Sequence, residues 1–325
     1  MKAFLITIMI TAGVVFIGFF IWGTLFIDKT EIIIEIPEQE SLVEEETELL
    51  PITLASKEVL FSDNTSATYR IAEPFGIAVA ADGLGKARFI GLSPDGRLFV
   101  PDMVDYVLSR EGKIYILEDF DETTNRFKTK HTYLSGLRGP NSVEFYTDSE
   151  GGDWIYIALT EHLVRYPYNP GDTEPSGDPE IIIKFPNSQA ESAKSAVWHI
   201  TRTILFNNDK LYVSVGSGCN ACEEPNGERR AMIMVMDPDG QNARVYAGGL
   251  RNAVGMTFAK DVLYATENGV DHLGPNSPDD RLHQISESVH YGWPYCYELS
   301  GAVKEDSFVN WENPVACQNV PLAFT

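Results

Sequence analysis

Positive charge is scarce in this chain. Lys and Arg together number 25 against 47 Asp and Glu, leaving a formal net charge of -22. Non-specific nucleic-acid binding depends on a basic surface that displaces counterions from phosphates, so no nucleic-acid partner is expected. The balance does not exclude a local basic pocket for a small anion. Cysteine is also sparse, at four residues. Cys219 and Cys222 form one C-x-x-C with no second pair at zinc-finger spacing, and no βαβ context surrounds it for a thioredoxin-like role. A disulfide that clips its own loop is the expected reading, with Cys296 and Cys317 as the remaining pair for a second bridge.

Long hydrophobic runs are confined to one place. Phe4 to Ile27 is apolar and uncharged, about the length that crosses a ~30 Å hydrocarbon layer. Lys2 precedes it, while Asp28, Glu31, Glu35 and Glu38 follow. This arrangement predicts an N-terminal transmembrane helix within residues 1–28, with the rest of the chain on the extracytoplasmic side. The alternative is a cleaved signal peptide and a secreted product. Residues 29–55 carry Glu44-Glu45-Glu46, Glu48, Pro37 and Pro51, and read as a self-repelling acidic linker. The folded domain is then expected over residues 56–325.

Amphipathic helical periodicity is nearly absent from that domain. Short apolar runs joined by Gly, Asp and Asn turns take its place, which indicates an all-β class. One unit recurs: a strand, a polar turn, then a second strand bearing an aromatic residue. Its copies centre on Phe99, Tyr156, Tyr212 and Tyr264, spaced roughly 50 to 60 residues apart, the period of a large propeller blade. Each is followed by a third strand, at Lys113–Leu117, His162–Tyr166, Met232–Met236 and Arg281–Ile285. A single sheet cannot bury both faces, so the units are expected to stack radially as a β-propeller. Four full blades are expected, and Asn310–Thr325 reads as the start of a fifth. Because an open ring leaves sheet edges unpaired, the chain is read as part of a longer six-bladed protein. A closed five-bladed ring is the alternative.

Polar and glycine-rich turns concentrate between His199 and Tyr297. The segments are His199-x-x-Arg202, Leu211-Tyr212-Val213-Ser214-Val215-Gly216-Ser217, Gly249-Leu250-Arg251-Asn252-x-x-Gly255, Thr266-Glu267-Asn268-Gly269 and Tyr291-Gly292-Trp293-Pro294. In order and spacing this set resembles the glucose/sorbosone dehydrogenases, six-bladed propeller enzymes that use pyrroloquinoline quinone (PQQ). The resemblance extends over about residues 70 to 325. It implies oxidation of a sugar or sugar aldehyde by hydride transfer to the quinone, with electrons passed on to a quinone pool or a cytochrome. It makes His199 the general base, a task suited to an imidazole that is neutral near pH 7. Arg251 is placed over the quinone oxygens, where a fixed charge stabilises the developing anion, and Asn252 adds an amide donor. Arg202 and Arg88 become possible partners of the cofactor carboxylates, although Arg202 reads equally well as pinning a blade through an internal ion pair. Calcium is the implied metal, held through the turn at Gly269, Val270 and Asp271, with the loop Gly274–Asp280 as an alternative.

Without the resemblance, His199 reads as a buried structural histidine. One position departs from the soluble glucose dehydrogenases. Ser217 stands where they carry an aspartate near the base, which fits the sorbosone branch better. Two other functions compete with this reading. A calcium-dependent propeller lactonase would require acidic metal ligands from several blades, and a non-catalytic extracellular propeller would bind carbohydrate or protein only.

Overall fold

In the computed structural model the described residues are 52–104, 109–186, 198–224, 229–274, 277–308, 311 and 314–324. The expected membrane helix and almost all of the acidic linker lie outside them. Among the described residues no helix is long and apolar enough to cross a membrane. The compact unit runs over Leu54–Thr325, so it begins just inside the segment read as linker. The reason is a hairpin of β1 (Leu54–Leu60) and β2 (Ser66–Ala72), paired antiparallel from Leu54↔Ala72 to Leu60↔Ser66.

Four antiparallel sheets follow in chain order. The first contains β3 (Gly91–Leu92), β4 (Leu98–Asp102), β5 (Gly112–Asp121) and β6 (Arg126–Leu137). The second contains β7 (Ser142–Thr147), β8 (Asp153–Ala158), β9 (His162–Pro167) and β10 (Glu180–Lys184). The third contains β11 (Ile204–Asn207), β12 (Lys210–Val215), β13 (Met232–Met236) and β14 (Arg244–Gly248). The fourth contains β15 (Ala253–Ala259), β16 (Val262–Glu267) and β17 (Arg281–Ile285). Each is a meander in which sequence neighbours pair, as in a propeller blade. The repeat aromatics fall on the second strand of every blade: Phe99 on β4, Tyr156 on β8, Tyr212 on β12 and Tyr264 on β16.

Alternation along the central strands explains the stacking. In β8, Ile155 and Ile157 enter the core shared with the first blade, beside Phe99, Ile114 and Ile116. Tyr156 and Ala158, pointing the other way, enter the core shared with the third blade, beside Leu211, Val213 and Met234. β13 repeats the division. Met234 and Met236 face the second blade, while Ile233 joins Leu263, Ala265 and Ile285 of the fourth. A strand of period two that is apolar on both faces needs a neighbouring sheet on each side. The hairpins are set locally: Asn208 and Asp209 (φ 48° and 54°) and Lys260 and Asp261 (φ 49° and 63°) take left-handed conformations in consecutive pairs, the twist-matched geometry of two-residue hairpins.

The expectation for Asn310–Thr325 needs correction. Phe324 bridges antiparallel to Leu282 of β17, with Phe324 N donating to Leu282 O at 2.9 Å. Phe324 therefore lies on the outer edge of the fourth blade, and the described residues form four blades with no start of a fifth. Between β17 and that edge the chain makes an excursion. It passes through β18 (Val289–His290), which pairs parallel with β14 and adds a fifth strand to the third sheet, and then through the hairpin β19 (Cys296–Leu299) and β20 (Ala302–Glu305). Both expected disulfides are present, Cys219–Cys222 and Cys296–Cys317.

Candidate functional site

In an antiparallel meander the start of the first strand and the end of the second lie at the same end of the blade. His199 and Arg202 lead into β11, and Ser217 follows β12. Arg251 and Asn252 lead into β15, Glu267 ends β16 and Asn268 follows it. The third and fourth blades thus carry their polar turns at one end of the molecule. A hydrogen-bond chain ties this end across all four blades. Arg88 Nε donates to Asn141 Oδ1 at 2.9 Å, Asn141 Nδ2 to the Arg202 carbonyl at 2.9 Å, and the Thr203 hydroxyl to the Val254 carbonyl at 2.5 Å. Asn141 itself is fully buried, so these bonds fix blade positions where water cannot replace them.

His199 occupies a left-handed backbone conformation, φ 46°, which turns its ring towards the end of β12. Its Nδ1 lies 2.7 Å from the Ser217 hydroxyl and 3.2 Å from the Ser217 carbonyl. That hydroxyl donates its own proton to the Cys219 carbonyl at 2.7 Å. The Ser217 oxygens can therefore only accept from His199, so Nδ1 carries the hydrogen and Nε2 keeps the lone pair. Burial, followed by the charge of Arg251, pushes the imidazole pKa down to about 4, so the ring is neutral at pH 7. Gly216 makes this arrangement possible. A Cβ there would stand 2.4 Å from the His199 Cβ and 2.9 Å from Asn252 Oδ1, closer than atoms can pack.

Arg251 is almost completely buried, and almost every polar atom it has is engaged. Its backbone N–H donates to Glu267 Oε1 at 2.5 Å, and Glu267 Oε2 faces the buried His283 Nε2 at 3.0 Å. The guanidinium donates through Nε to the Asn220 carbonyl at 3.0 Å, and through Nη2 to Asn220 Oδ1 and Asp271 Oδ2, each at 2.8 Å. Desolvation lowers its pKa below the usual arginine value, with Asp271 and Glu267 opposing. Asn252 Nδ2 donates to Asn268 Oδ1 at 3.0 Å, and Asn268 Nδ2 to Asp280 Oδ2 at 2.9 Å. His199, Arg251, Asn252 and the Asn268–Asp271 turn thus form one connected cluster.

Arg202 and Arg88 sit differently. Arg202 is fully buried and makes no ion pair among the described residues. Its Nη1 donates to the His199 and Thr201 carbonyls, each at 2.7 Å, its plane lies 5.3 Å from the Phe185 ring, and burial brings its pKa down to about 9. It braces the His199 turn from within, through carbonyl oxygens. Arg88 is half-buried on the first blade and joins the cluster through Asn141. In the turn read as a metal site, Val270 is buried against Trp293, the Gly269 N–H donates to Asp280 Oδ1 at 3.0 Å, and the Asp271 side chain is 67% exposed. Among the described residues, the grouping with metal-ligand spacing is Cys219, Cys222 and Glu224. Its sulfurs are bonded to each other.

Asn220 and Trp293 were not singled out from sequence as site residues. The Trp293 indole N–H donates to the Asn220 carbonyl at 3.0 Å. It reaches that position because the chain beside β18 runs along β14, with Tyr291 N and Trp293 N donating to the Gly248 and Gly249 carbonyls. Gly249 permits the approach: its φ is 69°, and a Cβ would meet the His290 ring at 2.3 Å. The Tyr291-Gly292-Trp293-Pro294 segment was the available signal for Trp293. For Asn220 it was only its position inside the C-x-x-C.

With this geometry established, comparison with known proteins shows what the chain is similar to. It is 24% identical over 257 residues to an uncharacterized protein of Borreliella burgdorferi, covering 76% of this chain and 60% of that one. Two solved propellers share its fold. The holo PQQ domain of pyranose dehydrogenase from Coprinopsis cinerea superposes with a TM-score of 0.55 at 18% identity, over 76% of this chain and 66% of that one. The PQQ-bound aldose sugar dehydrogenase of Streptomyces coelicolor gives 0.52 at 20% identity, over 78% and 70%. The resemblance read from the turn motifs is therefore borne out as a likeness in fold to PQQ-dependent sugar dehydrogenases. A family model described as TrAA12-like matches residues 69–307, most of the length of the chain, and this protein belongs to that family.

Proposed function

We propose that this protein is an oxidoreductase that oxidises a sugar or sugar aldehyde with PQQ and a calcium ion. The observation that carries the proposal is the state of His199. Its Nδ1–H is committed to Ser217, and its Nε2 lone pair meets no described protein group. With a pKa of about 4 the ring is neutral at physiological pH, available to take a hydroxyl proton at Nε2. The donor set beside it fits an oxygen-rich, anionic cofactor: the Arg251 guanidinium and the amides of Asn252 and Asn268 converge on the same end of the fold. Arg251 and Asn252 would hold the quinone side, with Arg88 as a further cationic contact and Arg202 bracing the base. A calcium ion would rest on oxygens of Gly269, Val270 and Asp271, hard donors of the kind it prefers. The chemistry the quinone supplies when bound is two-electron, hydride-accepting oxidation.

Two disulfides support an extracytoplasmic location, with anchoring through the N-terminal apolar run and a quinone pool or cytochrome as electron acceptor. The test is reconstitution of the full chain with PQQ and calcium, followed by dye reduction with a panel of aldoses and sugar aldehydes. Sugar-dependent dye reduction is the expected result. Failure to reduce dye, together with an unchanged PQQ absorbance spectrum on mixing, would overturn the proposal.

A further inference from the structure

The C-x-x-C loop has a role beyond closing a turn. Cys219 and Cys222 bracket Asn220 and Ala221, and the disulfide fixes the loop at both ends. Inside it, almost every polar atom of Asn220 is used, and each reaches a distant segment. Oδ1 accepts from Arg251 Nη2 at 2.8 Å and from the Asp271 backbone N–H at 2.9 Å. The carbonyl accepts from Arg251 Nε and from Trp293 Nε1, each at 3.0 Å. Nδ2 faces His272 Nδ1 at 3.3 Å. The donors to Oδ1 orient the amide, so Nδ2 is the donor and His272 Nδ1 the acceptor. His272 Nε2–H is then directed to the buried Asp306 carboxylate, at 3.2 Å from Oδ1 and 3.0 Å from Oδ2. The same loop holds the base, since the Cys219 carbonyl accepts the Ser217 hydroxyl that orients His199.

We propose that Asn220, clamped by the Cys219–Cys222 disulfide, is a positioning residue: it sets the Arg251 guanidinium and the Asp271 turn in the orientation that receives the anionic cofactor. The inference rests on the dehydrogenase reading for the identity of that cofactor, but not for the placement of Arg251. The physical argument concerns a buried cation. Arg251 has one carboxylate partner, and that carboxylate is largely exposed. The two oxygens of Asn220 and, at 3.5 Å, the Asn268 carbonyl supply the remaining acceptors, and they hold the guanidinium plane without neutralising its charge. A carboxylate in their place would add a competing negative group; an amide leaves the positive charge available to a ligand. Partners that orient metal-binding side chains alter affinity by about 10- to 100-fold when removed, and the same scale is expected for a ligand-binding arginine.

The test uses the full chain with Asn220→Ala and Asn220→Asp. PQQ affinity is measured by absorbance titration, His199 ionisation by proton NMR with its signal assigned through His199→Gln, and folding by thermal unfolding. Asn220→Ala should weaken PQQ binding about 10- to 100-fold. It should also raise the His199 pKa from about 4, because a released Arg251 no longer repels the protonated ring. Asn220→Asp keeps the acceptor oxygen and should bind PQQ more tightly than Asn220→Ala. An unchanged His199 titration in Asn220→Ala overturns the proposal. So does a loss of PQQ affinity that is equal in both variants and accompanied by an equal fall in the unfolding midpoint. If the wild-type chain binds no PQQ, the dehydrogenase reading fails, and the His199 titration alone decides the role of Asn220.

Discussion

His199 is held by atoms whose hydrogen-bonding roles leave one solution. A serine hydroxyl that donates to a carbonyl must accept from the imidazole, and the free nitrogen is then Nε2. Replacing His199 with Gln should therefore lower kcat by about 10²- to 10⁴-fold, while PQQ affinity, measured by absorbance titration, stays within a few-fold of wild type. The pH dependence follows from the lowered pKa. Activity measured as kcat/KM should fall as pH drops through about 4, where the ring takes a proton. The stability linkage has the same sign. The folded imidazole titrates below its ordinary value of 6.5, so the unfolded chain binds the proton first. The contribution of His199 is complete above pH 6.5 and is lost as pH falls towards 4. Arg251 was legible in the sequence because it sits in a short glycine-containing turn, and His199 only through the resemblance that the order of the turn motifs carries. Asn220 was not, because its partners lie 31, 51, 52 and 73 residues away.

Among the elements, the turn after β12 is tightly constrained. Gly216 lies between His199 and Asn252, and the atoms a Cβ would meet belong to short or buried groups that cannot swing aside. Gly216→Ala should cost about 1–3 kcal/mol of stability, read by denaturant unfolding. It should also impair sugar oxidation more than the stability loss explains, because it separates the base from Asn252. Strands and hairpins were readable because their causes are local: alternating apolar residues, an aromatic on each second strand, and left-handed pairs at Asn208–Asp209 and Lys260–Asp261. Edge pairings were not. The parallel match of Val289–His290 to Ala247–Gly248, and the return of Phe324 to Leu282, join segments far apart in sequence. No local pattern encodes that register.

For the molecule as a whole, three shared cores hold neighbouring blades together, and two disulfides secure the loops at the site end and in the excursion beyond β17. The two disulfides should behave differently. Cys296–Cys317 spans 21 residues, and replacing both cysteines with serine should cost about 3 kcal/mol through the entropy regained by the unfolded chain. Cys219–Cys222 spans 3, so the same replacement there should cost much less stability. It should instead weaken PQQ binding by freeing the Asn220 loop. Chemical denaturation and cofactor titration of the two double variants separate these outcomes. The chain spans about 60% of the length of its Borreliella burgdorferi relative.

Sequence alone determined the all-β class, the repeating blade unit and its four aromatic centres, the two disulfide pairs, and the turns that hold His199, Arg251 and Asn252. Those features depend on residue type and short spacing, which act through local backbone preference and period-two burial. The tertiary structure decided the rest. It buried Arg202 against the His199 and Thr201 carbonyls, and carried residues after β17 back to the third and fourth blades. It also made Asn220 a common partner of segments that meet only when the blades pack. These outcomes depend on which side chains converge across blade boundaries, a property of the assembled cores and not of any single stretch of chain.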